Sequence, residues 1–166
     1  MRLTSSHDYP VPPDRVAALF ADARFSTEVA RAAGALEPRV DVARDPSGEF
    51  TLTARTVNPS VQLPAQIRPL APRGLEIRQA QVWEAPGPDG GRRATLAGEI
   101  VGASVRITGT VTLAVAPGGC RLTFAGEIKA LIPLLGATVE NAAAPAVEAY
   151  LEAQDRVARE WLARGA

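Results

Sequence analysis

The middle of this chain is dominated by one feature, an alternation of apolar and polar residues that recurs in segment after segment between residues 36 and 129. A period of two places successive side chains on opposite faces of an extended chain, so it predicts half-buried β-strands. The predicted strands are Leu36–Ala43, Phe50–Val57, Leu75–Glu84, Arg92–Val101, Val105–Val115 and Cys120–Lys129. Short turn clusters rich in glycine and proline join most of them, and neighbouring strands should therefore pair antiparallel.

The flanking segments complete the pattern. Residues Leu3–Tyr9 predict one more strand, and the prolines after it lead into two short helices, the second over Ala23–Ala33. The last segment, from about Pro133 to Ala163, carries a broad apolar stripe at helical spacing and predicts one long helix. The sequence thus predicts a single α+β domain over residues 1–166, in which a curved seven-stranded antiparallel sheet surrounds the C-terminal helix.

One connection is longer than the others. The segment Asn58–Gly74, here called the flap, contains too many prolines for a central strand and too many apolar residues for a solvated linker. We expect it to pack over the sheet and to form one rim of a cavity. Its apolar residues are Val61, Leu63, Ile67 and Leu70.

Charge and composition exclude several classes of function. The 18 basic and 18 acidic residues balance, so no net field favours nucleic acid or an anionic membrane. The single histidine, His7, and the single cysteine, Cys120, cannot build a zinc site or an internal disulfide, and no metal or cofactor is expected. No apolar run approaches the ~20 residues of a membrane span. We expect a cytoplasmic protein without stable membrane insertion.

The inward face of the predicted sheet is mostly apolar, and its polar exceptions are Gln79, Gln81 and His7. A buried amide needs a hydrogen-bond partner, so we expect the two glutamines, beside Trp83, to hold a carbonyl or hydroxyl group of a ligand. A β-bulge near Gln79 that turns both amides outward is the alternative. The candidate ligand-binding residues are His7, Phe50, Leu52, Gln79, Gln81, Trp83, Ile107, Val111, Phe124, Val139, Ala143, Val147 and Tyr150.

Three glycines, Gly98, Gly109 and Gly126, share the inward parity of successive strands. A missing side chain at such positions either bends the sheet or leaves space for a ligand, and the sequence leaves both interpretations open.

The titratable residues give no catalytic motif. His7 has no second histidine or obvious nucleophile with it and is interpreted as a packed core residue. The acidic and basic residues of the last helix have the spacing of a solvated, ion-paired face. They include Glu148, Glu152, Asp155 and Arg159.

The order of the elements resembles the START-like, or SRPBCC, superfamily with its helix-grip fold, which includes lipid-transfer domains, birch-pollen-allergen-like carriers and polyketide cyclases. Trp83, the helix exit at residues 33–36, and the segment from Glu127 through Gly136 to Glu140 are similar to a mainly actinobacterial branch of unknown function. The resemblance implies a fold and a cavity, and no chemistry, because the superfamily contains both carriers and enzymes.

The sequence therefore favours a binding or carrier module for a small hydrophobic ligand that is lipid-like, polyketide-like or aromatic. The first alternative is a cyclase- or hydratase-like enzyme in which His7 or Tyr150 transfers a proton. The second is a protein-interaction domain whose cavity is filled by side chains, with a partner that the sequence does not name.

Overall fold

The computed structural model describes residues 1–63, 65 and 68–165. Two single turns of 3-10 helix, Ser60–Gln62 and Arg68–Leu70, lie in the flap. The predicted strands and the two longer helices are present, with ends that shift by three residues or fewer. In chain order the elements are β1 (Arg2–Tyr9), α1 (Pro13–Phe20), α2 (Ala23–Ala32), β2 (Leu36–Arg44), β3 (Phe50–Asn58), β4 (Leu75–Trp83), β5 (Arg92–Ile100), β6 (Val105–Ala116), β7 (Gly119–Ala130) and α3 (Gly136–Ala163).

The seven strands form one curved antiparallel sheet in the order β1-β7-β6-β5-β4-β3-β2. Strands β2 to β7 follow one another as a meander, and β1 pairs with β7, so that β1 and β2 are the two edges. The long helix α3 lies in the groove of this sheet. The α+β fold expected from the sequence is therefore confirmed.

Helices α1 and α2 fill one end of the groove. Pro13 begins α1, and the Asp22 side chain caps α2 by accepting a hydrogen bond of 2.8 Å from the backbone N–H of Arg24. The apolar sides of the two helices pack against the adjoining ends of the strands and against the C-terminal half of α3. The core at this end includes Val16, Phe20, Phe25, Phe50, Trp83, Leu113, Leu122 and Val157.

The flap covers the other end of the groove. Leu63 and Ala71 are buried there against Ile128 of β7 and Val139 of α3. Val61 was expected to pack as well, but it is 75% exposed. The reason is that successive side chains of a 3-10 turn point about 120° apart, so Val61 and Leu63 cannot face the same way. The flap residue Ile67 and the side chain of Leu70 lie outside the described residues.

Helix α3 begins three residues later than expected because Leu134 has a positive φ of 62°, which helical backbone does not allow. The helix then continues through Pro145 to Ala163. Its N-terminal part is tied to the sheet where the backbone N–H of Ala130 donates to Oε1 of Glu140 over 3.0 Å. None of the helices in the described part of the chain combines the length and apolar character that crossing a membrane requires.

Candidate functional site

A cavity of about 380 Å³ lies between the sheet and α3, in the part of the groove that α1 and α2 leave unfilled. The inner faces of the strands form one wall, and the middle of α3 forms the opposite wall. The flap and the end of α2 close it through Gln62, Leu63, Ala71, Ala30 and Ala33. Its size is near the lower end of the ~300–1,000 Å³ found for small-molecule pockets.

Most of the candidate ligand-binding residues line this cavity. From the sheet come His7, Gln79, Gln81, Ile107, Val111 and Phe124, and from α3 come Val139, Ala143, Val147 and Tyr150. Strand parity and the apolar stripe of the last helix are what bring these residues to a common space.

Phe50, Leu52 and Trp83 do not line the cavity, although the sequence placed them there. Trp83 is fully buried, with its ring stacked on Phe50 at 5.4 Å and tilted against Phe20 at 4.9 Å. Leu52 is 1% exposed and also belongs to the packed interior. These side chains do point inward, but Phe20 and its neighbours from α1 and α2 occupy the space above Phe50 and Trp83.

Gln79 and Gln81 both face inward, because β4 pairs in continuous register with β3 and β5 and the alternative bulge does not occur in this strand. Nε2 of Gln79 lies 3.4 Å from the hydroxyl of Tyr150. Oε1 of Gln81 accepts a hydrogen bond of 3.1 Å from the indole nitrogen of Trp83. Gln81 is therefore partly committed to the core, whereas the longer contact leaves Gln79 and Tyr150 freer to bind a guest.

Burial raises the pKa of the Tyr150 hydroxyl, and the contact with Gln79 lowers it by a smaller amount. A phenol that already titrates near pH 10 in water thus stays protonated at neutral pH. The Gln79–Tyr150 pair accordingly offers the cavity a neutral O–H and a neutral N–H donor.

The three inward glycines have different surroundings. Gly109 and Gly126 are direct partners across β6 and β7, and the ring of Phe124 lies over both of them. A Cβ atom at Gly126 would come within 2.5 Å of Cζ of Phe124, so the glycines make room for that ring. At Gly98 an added Cβ would meet only ordinary contacts of 3.4 Å or more. Two of the three glycines therefore accommodate a cavity-lining aromatic residue.

A polar group lies in the wall beside this apolar space. Oγ of Ser5 is 2.9 Å from Nε2 of His7, and Nδ1 of His7 is 3.4 Å from Oδ1 of Asp155. Ser5 and His7 both line the cavity. Asp155 was assigned from the sequence to a solvated helix face, and that assignment is wrong, because its side chain is only 20% exposed.

The Asp155 carboxylate is held from a second side. Nε of Arg159, one turn further along α3, donates to Oδ2 of Asp155 over 3.0 Å, and Nη2 of the same arginine donates to the backbone oxygen of Asp8. The guanidinium also lies 5.2 Å from the Tyr9 ring. Burial, together with the neighbouring Asp155 charge, raises the pKa of the Tyr9 hydroxyl well above its usual range. Asp155 is thus held by Arg159 and lies beside both His7 and the Tyr9 hydroxyl.

Several lining residues are not among those predicted from the sequence. Ser5, Thr56, Leu75, Ile77 and Leu96 share the inward parity of their strands and could have been found by extending that rule. Ala30, Ala33, Gln62 and Ala71 come from α2 and the flap, where no simple period applies. Within the described residues, no group of three or more histidine, cysteine or acidic side chains could hold a metal ion.

Comparison with solved structures identifies the fold. A protein from Thermus thermophilus aligns over 96% of this chain and 98% of its own, with a TM-score of 0.63 and 16% identity. A START superfamily protein from Mycobacterium smegmatis aligns over 96% of this chain and 98% of its own, with a TM-score of 0.57 and 10% identity. A STAR-related lipid transfer protein from Xanthomonas axonopodis aligns over 95% of this chain and 85% of its own, with a TM-score of 0.58 and 15% identity. The fold is the START-like helix-grip fold, as the resemblance implied.

The sequence also defines a particular family. The chain belongs to the family described as Protein of unknown function (DUF2505), whose family model matches residues 4–162. A comparison with curated proteins found no match.

Proposed function

We propose that this domain binds a small hydrophobic molecule in the cavity between the sheet and α3, as a carrier or binding module. The observation that carries the proposal is a cavity of about 380 Å³ with mainly apolar walls and a few convergent polar groups. Affinity then comes mostly from apolar burial, at about 25 cal/mol per Å². A cavity that side chains leave unfilled favours this function over a protein-interaction domain with a filled interior.

Lipid-like, polyketide-like and aromatic ligands all match this chemistry. Two relatives in fold carry START or STAR-related lipid transfer in their names, which supports a lipid-like guest. We place the protein in the cytoplasm, since its lone cysteine, Cys120, has no partner for a disulfide.

The proposal predicts that the apolar fluorophore 1-N-phenylnaphthylamine binds saturably, at one molecule per chain, with a rise in fluorescence. Native mass spectrometry of the purified protein tests the same point independently by looking for a retained small molecule. Absence of saturable binding, together with an empty protein in the mass spectrum, would contradict the proposed function.

A second prediction concerns the polar groups. Gln79→Leu should weaken binding of a long-chain ketone by about 1–3 kcal/mol, because the ketone oxygen loses the amide donor. The matched alkane should bind equally well or better. The affinities for the ketone and for the alkane are both measured by displacement of the fluorophore. Tyr150→Phe, which removes the other donor of the pair, is the companion variant. Gln81 is left unchanged because its loss would strip Trp83 of a buried partner.

If Gln79→Leu weakens the ketone and the alkane equally, the variant has altered the cavity as a whole. That result would reject Gln79 as a polar anchor and leave an apolar pocket without a fixed orientation for its guest.

A further inference from the structure

The strongest unexplained feature is the line of polar atoms formed by Ser5, His7 and Asp155. Each ring nitrogen of His7 faces a different group, with Nε2 2.9 Å from Oγ of Ser5 and Nδ1 3.4 Å from Oδ1 of Asp155. A carboxylate beside Nδ1 favours the tautomer that carries its proton there. Nε2 is then free to accept the proton of the serine hydroxyl.

The elements that carry these residues hold them in this order. Ser5 and His7 are two apart on β1 and therefore share its inner face, while Asp155 comes from α3. The Arg159 guanidinium fixes Oδ2 of Asp155. Oδ1 is buried without a hydrogen-bond partner among the described residues and lies 3.4 Å from Nδ1 of His7. The serine, the base and the group that orients the base thus depend on two packed elements rather than on a loop.

The position of the group relative to the cavity indicates what it can act on. Ser5 and His7 are part of the cavity wall, so the hydroxyl faces a mainly apolar space. The next residue, Ser6, has the opposite parity and hydrogen-bonds Thr123 on the exposed face of the sheet, at 3.0 Å. The chain therefore provides two neighbouring serines, only one of which has a base and faces the cavity.

From this geometry we infer that Ser5 is a nucleophile, activated by His7 and Asp155, that accepts the acyl group of an apolar ester bound in the cavity. Oγ of Ser5 attacks the carbonyl carbon, and its proton passes to Nε2 of His7. The bond from that carbon to the leaving oxygen then breaks, and the leaving alcohol takes the proton from His7. An acyl ester of Ser5 remains, which one water molecule hydrolyses by the same steps to release the carboxylic acid and restore the serine. No oxidant or reductant is involved.

Formation of the acyl-serine should be easier to detect than turnover. Backbone amides of a strand lie in the plane of the sheet, so those beside Ser5 do not point into the cavity at a developing oxyanion. Acylation and hydrolysis of the acyl-serine both lack this stabilisation, because both pass through an oxyanion. A good leaving group such as p-nitrophenolate speeds acylation alone, so with an activated ester the informative signal is a single acylation for each chain.

The test uses p-nitrophenyl hexanoate as the ester. We expect a burst of one p-nitrophenolate per chain, and one hexanoyl group on the peptide that contains Ser5, located by mass spectrometry. Ser5→Ala should abolish both signals. His7→Gln and Asp155→Asn should slow the burst by at least about 100-fold, the contribution expected of a general base. Ser6→Ala, the matched control, should acylate at the wild-type rate.

The inference rests on the proposed function in one respect, since the cavity must admit an apolar chain. Binding of the ether analogue, p-nitrophenyl hexyl ether, tests the binding function separately from the nucleophile. It also reports that each variant is folded. If the ether binds but Ser5 stays unmodified, or if acylation occurs only on amino groups, the nucleophile is disproved and the binding function stands. Acylation of Ser5 at full rate in both His7→Gln and Asp155→Asn would disprove the activation. A protein that does not bind the ether overturns both proposals.

Discussion

Replacing Trp83 by alanine is expected to lower the free energy of unfolding by about 3–5 kcal/mol, the range found when a large aromatic residue is removed from a core. Trp83 is 0% exposed and packs on Phe20 and Phe50. The change also leaves the buried oxygen of Gln81 without its donor. Urea denaturation, followed by circular dichroism, measures the difference.

Val82→Ala is the matched control, because Val82 is the preceding residue of β4 and is 50% exposed. Val82→Ala should lower the free energy of unfolding by less than about 1 kcal/mol, the span of strand propensities. Trp83→Ala protein that remains folded should still bind the fluorophore. If Trp83→Ala keeps its stability but loses binding of the fluorophore, Trp83 would belong to the ligand-binding wall, as predicted from the sequence.

Filling the cavity from α3 should have the largest effect on binding. Ala143→Phe places a ring into the cavity from a residue that lines it, next to Val139 and Val147. A guest that loses contact area equal to one large apolar side chain loses about 1.5–3 kcal/mol, or roughly 10- to 150-fold in Kd. Titration with 1-N-phenylnaphthylamine measures this change.

The control is Ala163→Phe, an exposed position near the end of the same helix that is not part of the cavity wall. It should leave the Kd of the fluorophore unchanged, and thermal unfolding should show that Ala143→Phe is as stable as the wild type. Unaltered binding by folded Ala143→Phe protein would mean that the fluorophore binds elsewhere, and the cavity would lose its proposed function.

Strand parity explains why much of the site could be predicted from the sequence. Gln79 and Gln81 point inward because β4 keeps its register over its whole length, and a rule that depends only on alternation is then sufficient. The same rule applied to β1 would have added Ser5 to His7. Local periodicity therefore predicts which face a side chain occupies.

What lies above that face is set by tertiary packing, and there the sequence was less informative. The positions of Phe50 and Gln79 have the same local pattern, yet one lies under α1 and α2 and the other under the cavity. The direction of Asp155 likewise depends on how α3 is rotated in the groove. The charged residues Glu148, Glu152 and Arg159 lie at helical spacing from Asp155 and favoured a solvated face, whereas its low exposure and its contact with His7 show otherwise.

Pro145 divides α3 into two parts of unequal attachment. It has no N–H, so the carbonyl of Asn141 lacks its helical partner, and one rung between the two parts is missing. The later part is anchored in the core by Leu151, Val157 and Ala158. The earlier part is held at its start by Val139 and Glu140, and between these anchors Ala142 and Ala143 lie over the cavity. Under the proposed binding function, we expect this middle stretch to be the more yielding wall, and a larger ligand to be accommodated by displacing it. Pro145 itself does not line the cavity, so its replacement is expected to change the size of ligand that fits without altering a residue of the cavity wall.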